Sequence, residues 1–145
     1  FNLIVINAIE SLEAYADERH IKIESDIKKG DIYGVSDVLH AIIYNLIDNA
    51  IKYNKENGTI YISLEEKNNE AILEVKDTGI GIPEESLDRI FERFYRVDKS
   101  HSRDIGGTGL GLSIVKHSCL IHNAKIEVSS KLNEGTTIKV TFPKI

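Results

Sequence analysis

The sequence predicts an α+β fold: a two-layer α/β sandwich with a mixed, mostly antiparallel five-stranded sheet and about three helices on one face. Two observations predict it. Strand-like segments come in hairpin-linked runs, which favours antiparallel pairing. The order runs helix, strands, helix, paired strands, helix, paired strands, so helices and strands do not alternate as they would in a doubly wound sheet.

The elements read as follows. Leu3, Ile4, Ile6, Ile9 and Leu12 to Ala16 have helical spacing. His20 to Ile27 alternates, with Ile21 and Ile23 against Lys22 and Glu24, and reads as a strand. A short further strand is expected around Ile32–Val35. Ser36 or Asp37 can cap a long helix that runs to about Tyr53. Asn57-Gly58 signals a turn. Strands Thr59–Glu66 and Ala71–Lys76 flank a Lys67-Asn68-Asn69-Glu70 hairpin. Ser86–Phe91 reads as a short helix, Tyr95 to Gly107 as irregular, and Gly109 to His122 as a helix that starts in glycines. Strands Lys125–Ser130 and Thr136–Phe142 close the chain around a turn at Asn133-Glu134-Gly135.

Composition narrows the function. A chain of 145 residues, 41% hydrophobic and 28% charged, is one globular domain able to bury its own core. A net charge of -5 argues against nucleic acid as a partner, which wants a basic face. Any phosphate must therefore be held locally, by backbone N–H groups, a metal ion and a few placed cations. The single cysteine, Cys119, falls in an apolar-periodic stretch and reads as a core thiol of a reducing compartment. No apolar run is long enough to cross a bilayer. The start, Phe1-Asn2-Leu3-Ile4, resembles no signal peptide, and the chain reads as a piece of a larger protein.

Three stretches carry chemistry. On the helix from Asp37 to Tyr53, Leu39, Ile43, Leu46, Ile47 and Ala50 share one arc. Asn45, Asn49 and Lys52 form a separate stripe at i, i+4 and i+7. Asparagine is a poor residue inside a helix, so two of them suggest a purpose. Their carboxamide oxygens can ligate a hard cation such as Mg²⁺, and Lys52 can meet a phosphate. Next, Asp77-Thr78-Gly79-Ile80-Gly81-Ile82-Pro83 follows a strand directly. Its glycines let backbone approach a ligand, and its carboxylate can accept a hydrogen bond from an exocyclic amine. The last is Gly106-Gly107-Thr108-Gly109-Leu110-Gly111-Leu112-Ser113, which leads into a helix. Free N–H groups at a helix start favour an anion. The spacing matches neither G-x-x-x-x-G-K-[ST] nor G-x-G-x-x-G. Between the second and third stretches, Phe91 and Phe94 can pin a segment to the core, and Arg96 and Arg103 can reach phosphates.

Taken together, Asn45–Tyr53 (N-L-I-D-N-A-I-K-Y), Asp77–Pro83 (D-T-G-I-G-I-P), Phe91–Asp98 (F-E-R-F-Y-R-V-D) and Gly106–Val115 (G-G-T-G-L-G-L-S-I-V) resemble the N, G1, F and G2 boxes of bacterial sensor histidine kinases, in that family's order and spacing. Glu134–Pro143 resembles the family's last strand. The resemblance points towards the membrane sensor kinases that respond to phosphate or cell-wall stress. It implies the Bergerat ATP-binding fold, with ATP and Mg²⁺ as ligands. Asn49 would ligate Mg²⁺ with Asn45 assisting, Lys52 would contact phosphate, and Tyr53 would pack on the adenine. Asp77 would accept the adenine amino group, with Gly79 and Gly81 shaping that wall. Arg96 to Gly107 would form a lid. Gly107, Thr108, Gly109, Leu110 and Gly111 would wrap the phosphates, with Arg96 helping to neutralise them.

The same resemblance implies a phosphoacceptor helical hairpin of the same protein and a downstream response regulator as partners. It also implies a cytoplasmic position within a membrane-bound parent. None of His20, His40, His101, His117 or His122 has the H-E-like context of the family's phosphoacceptor, so the chain is expected to bind Mg-ATP without phosphorylating itself, as a monomer. Three other readings compete. ATP hydrolases of the same fold carry a general-base Glu where this chain has Asn45, which cannot take a proton from water. A nucleotide-free interaction module would leave four intact boxes unused. Asp77-Thr78-Gly79 also resembles the D-T-G of dimeric aspartic proteases, which have no use for the other boxes.

Overall fold

The computed structural model describes residues 1–93, 95 and 111–143. Helices α1 (Asn2–Glu18), α2 (Ser36–Lys52) and α3 (Gly111–Ile121) accompany strands β1 (Lys22–Ile27), β2 (Thr59–Lys67), β3 (Glu70–Asp77), β4 (Lys125–Lys131) and β5 (Gly135–Pro143). The sheet order is β1-β2-β3-β5-β4, with β1 parallel to β2 and every other pair antiparallel. That is the mixed, mostly antiparallel five-stranded sheet the sequence predicts.

Alternation sorts the two faces of the sheet. Ile62 stands opposite Val75, which stands opposite Ile138; Leu64, Leu73 and Val140 form the next row. All six point into the core, while Tyr61, Glu65 and Lys76 on the other face are exposed. α2 is the central helix: it packs on α1, on α3 and on β2 and β3. Leu39, Ile43, Leu46, Ile47 and Ala50 are all buried, as their periodicity requires, together with Ile42 and Ile51.

Two helices end in the same device. After α1, His20 takes φ 57, its N–H reaches Asp17 O at 3.0 Å, and the N–H of Ile21 reaches Ala16 O at 2.9 Å. After α3, Asn123 takes φ 54, with Asn123 N–H to Leu120 O at 3.2 Å and Ala124 N–H to Cys119 O at 2.8 Å. These are Schellman closures with a non-glycine residue in the left-handed position. Asn68 and Asn69, both with positive φ, make the tight β2–β3 turn. Cys119 is buried, and burial pushes its thiol up to about 11. Among the described residues no helix is long and apolar enough to cross a membrane.

Three local expectations need correction. No strand forms at Ile32–Val35. Backbone donors there go to side chains: Asp31 N–H to Glu66 Oε1 at 2.8 Å, and Val35 N–H to His122 Nε2 at 3.2 Å. Neither Ser36 nor Asp37 caps α2. Val35 occupies the N-cap position without a side-chain bond, and Asp37 lies in the first turn, where its charge suits the helix dipole. Ser86–Phe91 is not an α-helix. A 3₁₀ turn at Glu84–Ser86 continues into turns closed by i+3 bonds, Leu87 N–H to Glu84 O and Arg89 N–H to Ser86 O. With Ile90 as its one buried large apolar side chain, this segment has little to hold a longer helix against the core.

Candidate functional site

The polar stripe of α2 lies beside the buried one. Asn45, Asn49, Lys52 and Tyr53 are all half-buried, at the edge of the helix layer. Asn45 donates from Nδ2 to Ala41 O at 2.7 Å, and among the described residues its Oδ1 accepts no hydrogen bond. Gly111, the first residue of α3, comes against that oxygen: a Cβ there would lie 3.2 Å from Asn45 Oδ1. The first residue of α3 therefore sits directly over Asn45 of the stripe. Among the described residues, the Asn49 carboxamide makes no hydrogen bond. Lys52 Nζ pairs with Asp48 Oδ2 at 2.8 Å.

Asp77 ends β3, and the loop after it is laid on the C-terminal end of α2. Ile80 N–H donates to Tyr53 O at 3.1 Å, and any Cβ on Gly79 would run into that same carbonyl oxygen. Glycine at 79 is thus what lets the Asp77 loop touch α2. Asp77 Oδ1 accepts two backbone donors, Gly79 N–H at 2.9 Å and Thr136 N–H at 3.3 Å. Its Oδ2 accepts none among the described residues. Burial raises the carboxyl from 3.8 to about 6; the bonds from Gly79 and Thr136 work the other way but are outweighed. A half-buried carboxylate with one oxygen fixed by backbone and the other free is a preset acceptor for a ligand N–H.

The loop is held from two sides. Gly81 takes φ 74, and a side chain there would collide with Lys131 O. Asn133 N–H bonds Ile80 O at 2.8 Å, and Ile82 N–H bonds Ser130 Oγ at 2.7 Å. On the other side, Asn54 is buried. Its Nδ2 reaches Thr59 O at 3.2 Å, and Thr78 Oγ1 accepts Thr59 N–H at 2.9 Å.

Sequence reasoning placed Asn45, Asn49, Lys52, Tyr53, Asp77, Gly79 and Gly111 in one site. The contacts bring Asp77, Gly79 and Tyr53 together at one end of α2, and Gly111 and Asn45 about two turns earlier. Gly81 works from behind, as an anchor of the loop. Arg96, Gly107, Thr108, Gly109 and Leu110, and Arg103 with them, lie outside the described residues.

Four residues were missed. Asp48 has a readable signal, an acid four residues before Lys52. His122 has none, because Val35 is 87 positions away, and Asn54 reads only as a residue after the helix, since its longer-range partner Thr78 lies in the Asp77 loop. Gly135 reads only as a turn glycine, yet it sits on the Asp77 backbone.

A Mg²⁺ ion fits this donor set. Among the described residues no group of three His, Cys, Asp or Glu could hold a metal by itself. A nucleotide-bound Mg²⁺ would need only one or two protein oxygens, the rest coming from substrate phosphates and water. Asn45 Oδ1 and the free Asn49 carboxamide supply oxygens of that kind.

Residues 34–145 match the family described as histidine kinase-, DNA gyrase B- and HSP90-like ATPase. The chain belongs to that family. Its relatives lie among the sensor histidine kinases. The signal transduction histidine-protein kinase ArlS of Staphylococcus aureus is 52% identical over 96 residues, 66% of this chain. The chain spans about a fifth of that curated relative, 21% of its length. The catalytic domain of histidine kinase ThkA, in a nucleotide-free form, superposes with a TM-score of 0.84 at 26% identity, covering 99% of this chain and 92% of that one. ShkA, solved at full length in complex with AMPPNP, gives 0.84 at 25% identity over 98% of this chain and 29% of its own.

In this chain the helix pair α2–α3 brings the asparagine stripe and Gly111 together. The two helices run antiparallel: Gly111 meets Asn45 at one end, and His122 meets Val35 at the other. His122 Nδ1 lies 2.9 Å from Ser118 O and its Nε2 accepts Val35 N–H, so the ring is the Nδ1–H tautomer. Gly34 makes room, since a side chain there would press on the His122 ring at 2.6 Å. His122→Ala removes both bonds and is expected to lower stability by about 1–3 kcal/mol, measured by urea denaturation. An unchanged midpoint would show that the clip is idle.

Proposed function

We propose that this domain binds Mg-ATP and supplies its γ-phosphoryl group to a histidine on a separate dimerisation domain, a helical hairpin of the same parent protein. The observation that carries the reading is Asp77. Its free Oδ2 is a preset acceptor for the adenine amino group, and it stands on the same end of α2 as Tyr53 and Lys52. Tyr53 packs on the base, Lys52 meets a phosphate, and Asn49 with Asn45 holds Mg²⁺. Arg96 and the segment Gly107, Thr108, Gly109, Leu110 and Gly111 enclose the phosphates. When bound, Mg²⁺ neutralises phosphate charge. The chain's own residues orient the nucleotide so that its γ-phosphorus faces the incoming imidazole, which is most of what phosphoryl transfer asks of a protein. The imidazole nitrogen forms the new bond to phosphorus, the bond to the β,γ-bridging oxygen breaks, ADP departs and the ring proton passes to solvent.

Two findings support the reading: ThkA is solved as a histidine kinase catalytic domain, and ShkA is solved with an ATP analogue. The phosphohistidine then passes its group to a response regulator. The parent protein sits in the cell membrane with this domain on the cytoplasmic side, and the domain alone is monomeric.

Incubation with γ-labelled ATP tests this. The chain alone should take up no acid-labile phosphate, and the hairpin supplied in trans should take it up in the presence of the chain. Label on the chain by itself, or none on the hairpin, would contradict the reading. ATP hydrolysis as the main activity is disfavoured by Asn45, whose carboxamide cannot serve as a base and whose Nδ2 is committed to Ala41 O. Turnover on the order of 10 per second, ordinary for an enzyme, would restore that alternative.

A further inference from the structure

The salt bridge at the end of the asparagine stripe has a role that the boxes do not assign. Asp48 and Lys52 are one helical turn apart, joined at 2.8 Å, with only 20% and 24% of their side chains exposed. At helical spacing, Asp48 lies on the side of the stripe shared by Asn45 and Lys52. From this we infer that Asp48 makes nucleotide binding conditional on the divalent cation, by penalising a triphosphate that arrives without one. The inference rests on the Mg-ATP reading above.

The argument has two branches and one outcome. Suppose Lys52 keeps Asp48 when it meets a phosphate. Two charge-assisted contacts in series then put the carboxylate within about 6 Å of the phosphate oxygens. Like charges at that range, in a half-buried site, repel strongly. Suppose instead that Lys52 leaves Asp48 for the phosphate. The carboxylate is then left half-buried without its cation, which also costs binding energy. In both branches a cation on the triphosphate removes the penalty. The Mg²⁺ held by neighbouring Asn49 cancels the repulsion in the first and compensates Asp48 in the second. Asp48 thus acts as a positioning and specificity residue through Lys52, distinct from the carboxamides that hold the metal.

The experiment is calorimetric titration of Mg-ATP, and of ATP in excess EDTA at the same ionic strength. The proteins are the unchanged chain, Asp48→Asn, Asp48→Ser and Asp48→Glu. Both neutral variants should bind metal-free ATP on the order of tenfold more tightly than the unchanged chain, and Mg-ATP no more tightly. Asp48→Glu should restore the original ratio. A ratio unchanged in both neutral variants, with Mg-ATP still bound, would overturn the inference and leave the pair as an ordinary ion pair on a helix. Metal-free binding that stays undetectable in both would overturn it equally. No Mg-ATP binding by the unchanged, folded chain would be a different result: it would overturn the proposed function, and this inference with it.

Discussion

Asp77→Asn should weaken Mg-ATP binding by about 100-fold or more and at the same time stabilise the empty domain near neutral pH. The first effect follows from geometry. Oδ1 is already occupied by Gly79 and Thr136, so an asparagine there keeps its oxygen on the backbone donors and turns its NH₂ outward. A donor then faces the adenine amino group, itself a donor. Losing one charge-assisted bond and leaving two donors opposed costs on the order of 3 kcal/mol. The second effect follows from the pKa. Burial raises the Asp77 carboxyl from 3.8 to about 6. A raised acid contributes stability that is fully present below 3.8 and is lost as pH rises through about 6. At pH 7 the charged form is therefore a burden, of order 1–3 kcal/mol, which the neutral asparagine does not carry. Thermal melts from pH 4 to 8 should show the original chain losing stability relative to the variant across that window. Parallel curves would contradict the assignment. Affinity for Mg-ATP should also fall as pH drops below about 6, in the original chain and not in the variant.

Gly135→Ala should be the most damaging single methyl in the described site. Gly135 has φ +126, outside the range a side chain tolerates, and a Cβ there would collide with the carbonyl oxygen of Asp77. Strain and collision together are expected to cost about 2–4 kcal/mol. Relief requires β5 to move off the end of β3, which lengthens the Thr136 N–H bond to Asp77 Oδ1. Nucleotide affinity should fall even where the domain still folds. Gly111→Ala is the contrast, because its Cβ would approach Asn45 Oδ1 at 3.2 Å with no backbone in the way. Urea denaturation of the two variants should rank Gly135→Ala far below Gly111→Ala. Equal stabilities would mean that β5 and β3 are not locked at this point.

The sheet and the three helices were legible because their signals are local and repeated. The alternation of Ile60, Ile62 and Leu64, and the arc of Leu39, Ile43, Leu46 and Ala50, each encode one buried face without knowledge of the rest. The stripe of Asn45, Asn49 and Lys52 was legible for the same reason, as was Asp77 at the end of an alternating strand. What escaped depends on contacts between distant positions. Val35 looks like a strand residue, but its N–H belongs to His122, 87 positions away. Asn54 looks like a loop residue after a helix, but it ties β2 to the Asp77 loop. Gly135 reads as a turn because nothing nearby reveals that Asp77 lies behind it. The short helix expected at Ser86–Phe91 failed for want of a buried stripe, which periodicity over six residues cannot establish.

One measurement bears most directly on the central claim, that this is an ATP-binding catalytic domain whose base-reading group is Asp77. Mg-ATP is titrated into the purified chain by calorimetry, with Asp77→Asn beside it. The account predicts saturable binding to the original chain, dependent on Mg²⁺, and binding to the variant weaker by about 100-fold or more. A folded chain that binds no nucleotide, or a variant that binds as well as the original, would contradict it.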